Sequence, residues 1–149
     1  MTSSLRPVLA AEDEASDAFL LRLVFERARI PNPLVIVGDG QEAMDYVLGA
    51  GPFQDRSRHP FPVLLFLDLK MPRMSGFEVL ASLGGHAELS ELPAVILSSS
   101  SDREDIRQAL RLGAREYLIK PQSLSELTSF IRAVYDRWIA PGPQRVAPA

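Results

Sequence analysis

Glu12, Asp13, Asp68, Ser98 and Lys120 carry the side chains suited to metal or phosphoryl chemistry, and all of them stand at the ends of short apolar runs. Glu12-Asp13 follows PVLAA, Asp68 follows VLLFL, Ser98 follows AVIL, and Lys120-Pro121 follows EYLI. Carboxylates crowded together repel and raise one another's pKa unless a cation offsets them. Oxygen ligands without a nearby His or Cys select a hard ion. Mg²⁺, which keeps several waters and bridges carboxylates to phosphate, is the natural one. Such an ion beside an ammonium and a hydroxyl suits phosphoryl transfer, in which a protein chiefly positions groups and offsets charge on the moving oxygens. A carboxylate can itself attack and form an acyl phosphate, and Asp68, flanked by the other groups, is the candidate nucleophile. Taken singly, an Asp or Ser at a strand end is commonly a turn or cap residue. Coincidence at four strand ends makes the group worth following. Pro121 adds to it, because proline fixes an extended backbone at Lys120.

For these residues to meet, the runs must lie side by side. Strands are expected at Pro7 to Ala11, Leu34 to Val37, Val63 to Leu67, Ala94 to Leu97 and Glu116 to Ile119. Apolar residues at consecutive positions, separated by segments of helical period, fit an α/β fold whose parallel sheet is covered on both faces. Ligands in such sheets bind at the carboxyl ends of the strands.

The first helix is expected at Ala15 to Ala28, with Phe19, Leu20, Leu23 and Val24 as its buried stripe and Pro31 and Pro33 beyond its end. Asp39-Gly40 reads as a turn before a helix through Ala43, Met44, Val47 and Leu48. Gly49 to Pro62 lacks periodicity and reads as a loop. Ser75-Gly76 opens a third helix holding Phe77, Val79 and Leu80, which Gly84-Gly85 ends. Ser101 to Glu104 and Ser123 to Glu126 have capping-box patterns, each before a further helix. The first of these two helices runs through Ile106, Ala109 and Leu110 to a stop at Gly113. On the second, Leu124, Leu127, Phe130, Ile131, Val134, Tyr135, Trp138 and Ile139 form an apolar face wider than one sheet contact needs, which suggests a partner.

Composition narrows the classes. A chain of 149 residues with 46% apolar content makes one core of ordinary size. A net charge of −3 and no Lys/Arg run argue against nucleic-acid binding. No apolar stretch approaches a membrane span, and MTSSLRPVLAAEDE turns acidic where a signal peptide needs its apolar centre, so a cytoplasmic location is expected. The absence of cysteine removes disulfides, thiolate metal sites and a cysteine nucleophile. His59 and His86 lie in breaker-rich segments and read as solvated loop residues. No phosphate-binding glycine motif supports nucleotide binding.

Taken in order, these motifs resemble the response-regulator receiver family. LDLKMPRMSGFEVL (Leu67 to Leu80) is similar to the family's acceptor segment, Glu12-Asp13 to its acidic pair, LPAVILSS to its fourth strand and GAREYLIKP to its fifth. The resemblance covers about residues 6–140. It implies a single flavodoxin-like domain over residues 1–140, a doubly wound five-stranded parallel sheet in the order 2-1-3-4-5; beyond it, PGPQRVAPA cannot sustain a helix and is expected to be a disordered tail at 141–149. It further implies that Asp68 accepts a phosphoryl group and that Glu12, Asp13, Asp68 and the Lys70 main-chain oxygen hold Mg²⁺. Ser98 would bond the phosphate, Lys120 would pair with it, and Tyr117 would move inward as Ser98 shifts. Lys70 and Ser100 resemble the positions that set how long the phosphate lasts.

The implied partner is a sensor histidine kinase, while the surplus apolar face of the last helix suggests a second copy of the chain, meeting through the surface of helix four, strand five and helix five. Three features depart from the common pattern: Ser at 98 where Thr is commoner, Glu as the first acid, and the long loop at residues 49–62. The last resembles small single-domain regulators paired with bacterial phytochromes.

Two other readings keep the architecture. A pseudo-receiver acting only as a docking module is expected to lack the acceptor or the lysine, and both are present. A Mg²⁺-dependent phosphatase or nucleotidyl-transfer domain usually carries a second acid two positions after the strand-end Asp, where this chain has Lys70. The protein is therefore expected to be a switch and not an enzyme that turns over substrate.

Overall fold

The computed structural model describes residues 5–142; the expected tail beyond position 142 lies outside them. The strands are β1 (Val8–Ala11), β2 (Leu34–Val37), β3 (Leu64–Leu67), β4 (Ala94–Ser98) and β5 (Glu116–Ile119). All neighbours pair in parallel, in the order β2-β1-β3-β4-β5. The helices are α1 (Ala15–Arg27), α2 (Gly40–Leu48), α3 (Gly76–Gly84), α4 (Arg103–Arg111) and α5 (Leu124–Val134), the last prolonged by a π turn at Tyr135–Ile139.

Successive strand residues point to opposite faces, and here each face has its own layer of helices. Leu9, Ala11, Leu65, Leu67 and Ile96 pack with Ala43, Met44 and Val47 of α2 and Val79 and Leu80 of α3. On the other face Val8, Ala10, Leu64, Phe66, Val95 and Leu97 meet Leu21, Val24 and Phe25 of α1 and Leu127, Ile131 and Val134 of α5. Double coverage is why β1, β3 and β4 up to Ser98 are apolar at every position, as the sequence pattern anticipated.

The phase of α1 differs from the expected one. Leu21, Val24, Phe25 and Ala28 are buried, whereas Phe19 is 65% exposed and Leu20 is 38% exposed. Six of the seven residues from Phe19 to Phe25 are apolar, so two stripes at helical spacing overlap, and packing decides between them. Phe25 meets Phe66 edge-on at 6.4 Å. The wide face of the last helix is largely consumed by the core: Leu127, Ile131, Val134 and Ile139 are buried, and Phe130 stays exposed.

Helix caps also shift. Asp102, and not Ser101, caps α4, accepting from the Glu104 amide at 2.9 Å, so the helix starts one residue later than the box pattern placed it. Ser123 caps α5 through the Glu126 amide, and Ser75 and Glu78 form a full reciprocal box on α3. Asp39 does more than turn the chain. It caps α2, accepting from the Glu42 amide at 2.8 Å, and it takes the Arg73 Nε at 2.9 Å. Burial pushes the Asp39 carboxyl up, but the Glu42 amide and Arg73 outweigh this and hold it below the usual range.

The segment 49–62 is an ordered loop with one 3-10 turn at Gly51–Phe53. Arg56 secures it, donating to the carbonyls of Tyr46 at 2.7 Å, Val47 at 2.6 Å and His59 at 3.0 Å. A cation there answers both the orphan carbonyls and the negative end of α2. The Tyr46 hydroxyl donates to Pro60 O at 3.0 Å. His59 packs edge-on against Tyr46 and Phe53 and is half-buried, so the expectation of a solvated loop side chain holds in part. Two adjacent aromatic rings supply the partial burial that a breaker-rich sequence conceals. His86 remains at the surface, within 3.1 Å of Glu88.

Candidate functional site

Register brings the expected residues together. Ala11 pairs with Leu67, so Glu12 and Asp68 leave the sheet at one level. Ser98 pairs with Ile119, and the Lys120 amide donates to Ser98 O at 2.7 Å, which places Ser98 and Lys120 side by side. A cavity of about 490 Å³ forms there, lined by Asp13, Glu14, Asp17, Asp68, Lys70, Ser98, Ser99, Ser100 and Lys120.

Lys120 is the electrostatic centre. Its Nζ donates to Asp68 Oδ2 at 2.9 Å, Glu12 Oε2 at 3.0 Å and Asp17 Oδ2 at 2.9 Å. Burial alone would lower the ammonium's pKa, but the three carboxylates outweigh it and hold the group charged well above its ordinary range. Glu12 behaves oppositely to a simple ion-pair partner. Its side chain is only 3% exposed, and burial pushes the carboxyl up despite bonds from the Glu14 amide and Lys120. Both directions hold together, because one cation is shared among several anions.

Oxygens of Glu12, Asp13 and Asp68 all lie within 4.8 Å of one another, the only such acidic group among the described residues. An all-oxygen donor set around an undercompensated negative charge fits a hard divalent ion. Metal and proton then compete for Glu12. In the metal-free protein its raised pKa favours the fold below its unfolded value and loses that contribution as pH rises through the folded value. A divalent ion at a hundredfold excess over its Kd should stabilise the fold by about 2.7 kcal/mol at neutral pH. That stabilisation should fade as pH falls through the raised Glu12 range, above where an ordinary carboxylate titrates. Thermal unfolding with Mg²⁺ and with chelator across pH checks it; a shift constant down to pH 4.5 or so would be the wrong result.

Ser98 is buried, and its Oγ accepts from the Ser100 amide at 3.1 Å. Ser100 Oγ donates to Asp105 Oδ2 at 2.7 Å. The Tyr117 hydroxyl donates to Ser100 O at 2.8 Å, which ties the half-buried tyrosine to the loop that starts at Ser98. Lys70 follows the acceptor in an exposed loop, its amide 3.4 Å from Asp68 Oδ1.

Two contributors escaped the sequence reading. Asp17 sits in the first turn of α1, where an acid ordinarily does no more than complement the helix dipole, so its type gave no warning of a bond to Lys120. Its spacing of four from Asp13 was the available signal. Arg73 has a left-handed backbone (φ 64°) in the loop after Asp68, and its bond to Asp39 ties that loop to the start of α2.

Comparison with known proteins agrees with this geometry. The response regulator Rcp1 of Synechocystis sp. is 30% identical over 132 residues, covering 89% of this chain and 88% of that protein. A crystal structure described as the Mn²⁺-bound form of Rcp1 superposes with a TM-score of 0.80 at 28% identity, covering 97% and 99% of the two chains. The response regulator RPA3017, in red light signalling of R. palustris, superposes with a TM-score of 0.88 at 34% identity, over 96% of this chain and all of the other. The phosphorylated cyanobacterial phytochrome response regulator RcpA gives 0.82 at 29% identity, over 93% and 97%. No helix among the described residues is long and apolar enough to cross a membrane. A family model for the response regulator receiver domain matches residues 8–132, nearly all of the sheet and its helices, and the chain belongs to that family.

Proposed function

We propose that Asp68 accepts a phosphoryl group from the phosphohistidine of a sensor histidine kinase, or from a small acyl phosphate. A carboxylate oxygen of Asp68 forms the new P–O bond while the P–N bond of the donor breaks, or the P–O bond of the acyl phosphate. The freed imidazole takes up a proton, or the carboxylate leaves. The observation that carries this reading is Lys120 Nζ at 2.9 Å from Asp68 Oδ2, with the Glu12 and Asp13 carboxylates alongside. Mg²⁺ held by Glu12, Asp13, Asp68 and the Lys70 main-chain oxygen would offset charge on the phosphoryl oxygens. Ser98 would donate to one of those oxygens and Lys120 would pair with another. Incubation with acetyl phosphate and Mg²⁺ should add one acid-stable, base-labile phosphate in the peptide holding Asp68. Label elsewhere, or none, would overturn the proposal.

The protein acts as a switch. A new dianion draws Ser98 toward it, and the Tyr117 bond to Ser100 O gives that shift a path to the surface of α4, β5 and α5. Ala109 is the one buried residue of α4, so this helix is held weakly enough to move. Residues 1–140 make up the receiver unit and residues 141–149 a C-terminal tail, and the protein works in the cytoplasm beside its kinase. The small regulators that it resembles, including those of red light signalling, point to a phytochrome-type kinase as donor. Leu110 on α4, Ile119 on β5 and Phe130 on α5 are exposed, and they supply apolar contacts for a homodimer through that surface. Sedimentation with and without beryllofluoride should show dimer favoured by the phosphate mimic. A monomer under both conditions would remove the dimer and leave the phosphoacceptor intact.

A further inference from the structure

Lys120 has three N–H donors, and all three are committed to carboxylates: Glu12, Asp17 and Asp68. A phosphoryl group on Asp68 brings oxygens that need a donor from the same ammonium, so one existing bond must give way. The three partners are not equivalent. Glu12 and Asp68 belong to the acidic group suited to the metal, whereas Asp17 stands outside it. Asp17 is also the most exposed of the three, at 35% of its side chain against 3% for Glu12 and 13% for Asp68. It therefore rehydrates at least cost when its bond breaks.

We propose that Asp17 is a positioning residue that holds Lys120 toward α1 in the unphosphorylated protein and competes with the phosphoryl group for its ammonium. This rests on Asp68 being the acceptor. Two effects of the Asp17 carboxylate act in the same direction. It occupies a donor that the phosphoryl oxygens require, and its own negative charge, lining the same cavity, repels an incoming anion. The bond to Asp17 thus sets a threshold: the switch turns on only when the gain at the phosphoryl oxygens exceeds what Lys120 gives up on the α1 side. A structural role alone would give the opposite expectation, since loosening a needed lysine weakens anion binding.

Beryllofluoride, which mimics a phosphoryl group on a carboxylate, reads this directly by calorimetry at saturating Mg²⁺. Asp17→Asn should bind it about three- to tenfold more tightly than wild type, because a charge-assisted bond has been traded for a neutral one. Asp17→Glu, which restores the carboxylate, should return toward the wild-type value. Mg²⁺ affinity measured without beryllofluoride should fall only a few-fold in Asp17→Asn, since the lost charge is not a metal ligand. Unchanged or weaker beryllofluoride binding in Asp17→Asn overturns the proposal. Should that variant fail to fold, Asp17→Ser carries the same expectation and the same overturning result. If wild type itself binds no beryllofluoride, it is the acceptor role of Asp68 that has failed, and the role of Asp17 falls with it.

Discussion

Asp68→Asn should lose phosphoryl uptake from acetyl phosphate and Mg²⁺ altogether, a fall of at least about a thousandfold in labelling rate. The amide keeps the size and shape of the side chain but has no anionic oxygen to attack phosphorus. It also takes one carboxylate away from a pocket where at least four face a single ammonium, so the metal-free fold should be no less stable than wild type. Lys120 keeps Glu12 and Asp17 as partners in the variant. Loss of labelling with an intact unfolding midpoint thus separates chemistry from folding. Intact-mass measurement after equal incubation decides it, and a variant labelled as well as wild type would transfer the acceptor role to another residue.

Gly76→Ala should be a damaging conservative change at the acceptor strand. A Cβ at position 76 would lie 2.4 Å from the Asp68 carbonyl oxygen and 2.9 Å from Leu69 Cα. Both are backbone atoms at the end of β3, which cannot swing aside as a flexible side chain would. The Gly76 amide is also committed, donating to Leu69 O at 2.9 Å. Alanine ordinarily favours a helix over glycine by roughly 1 kcal/mol, but here the overpacking dominates, and a net loss of about 2–4 kcal/mol is expected. Urea denaturation measures it. Gly84→Ala is the control, because a Cβ there meets nothing within 4 Å, and that change should be neutral or slightly stabilising. Relief of the clash must push either α3 or the acceptor strand outward. Phosphorylation of whatever Gly76→Ala protein remains folded should therefore slow as well. Equal midpoints for the two alanine variants would show that β3 and α3 part without cost.

The legible parts of this protein were those where one rule acts alone. The inner strands β1 and β3 are buried and apolar at every position, and the half-buried edge strands β2 and β5 still fell where the runs LVIV and EYLI placed them. Parallel pairing of such strands then brings their carboxyl ends together, so Asp13, Asp68, Ser98 and Lys120 were readable as a group without coordinates. Illegible parts were those where two local rules compete or a distant partner decides. In α1 the run from Phe19 to Phe25 offers two stripes, and packing on β1 and β3, with Phe25 edge-on to Phe66, selects the one through Phe25. The Asp17 side chain has a complete local explanation as a first-turn acid, which hides its bond to a lysine 103 positions away. Asp39 likewise reads as a turn residue until Arg73 arrives from the loop after β3.

The Arg56 clamp on the long 49–62 connection has a thermodynamic corollary for recognition. A segment of that length would ordinarily sample many shapes, and any molecule seated on it would have to freeze them, at about 1 kcal/mol or more per residue ordered. With three backbone carbonyls gripped by one guanidinium and His59 packed edge-on against two adjacent rings, that freezing is already done in the free protein. A surface prepared in this way binds with little entropic loss. A partner seated there would meet faster capture and a fixed orientation, and not disorder giving way to order.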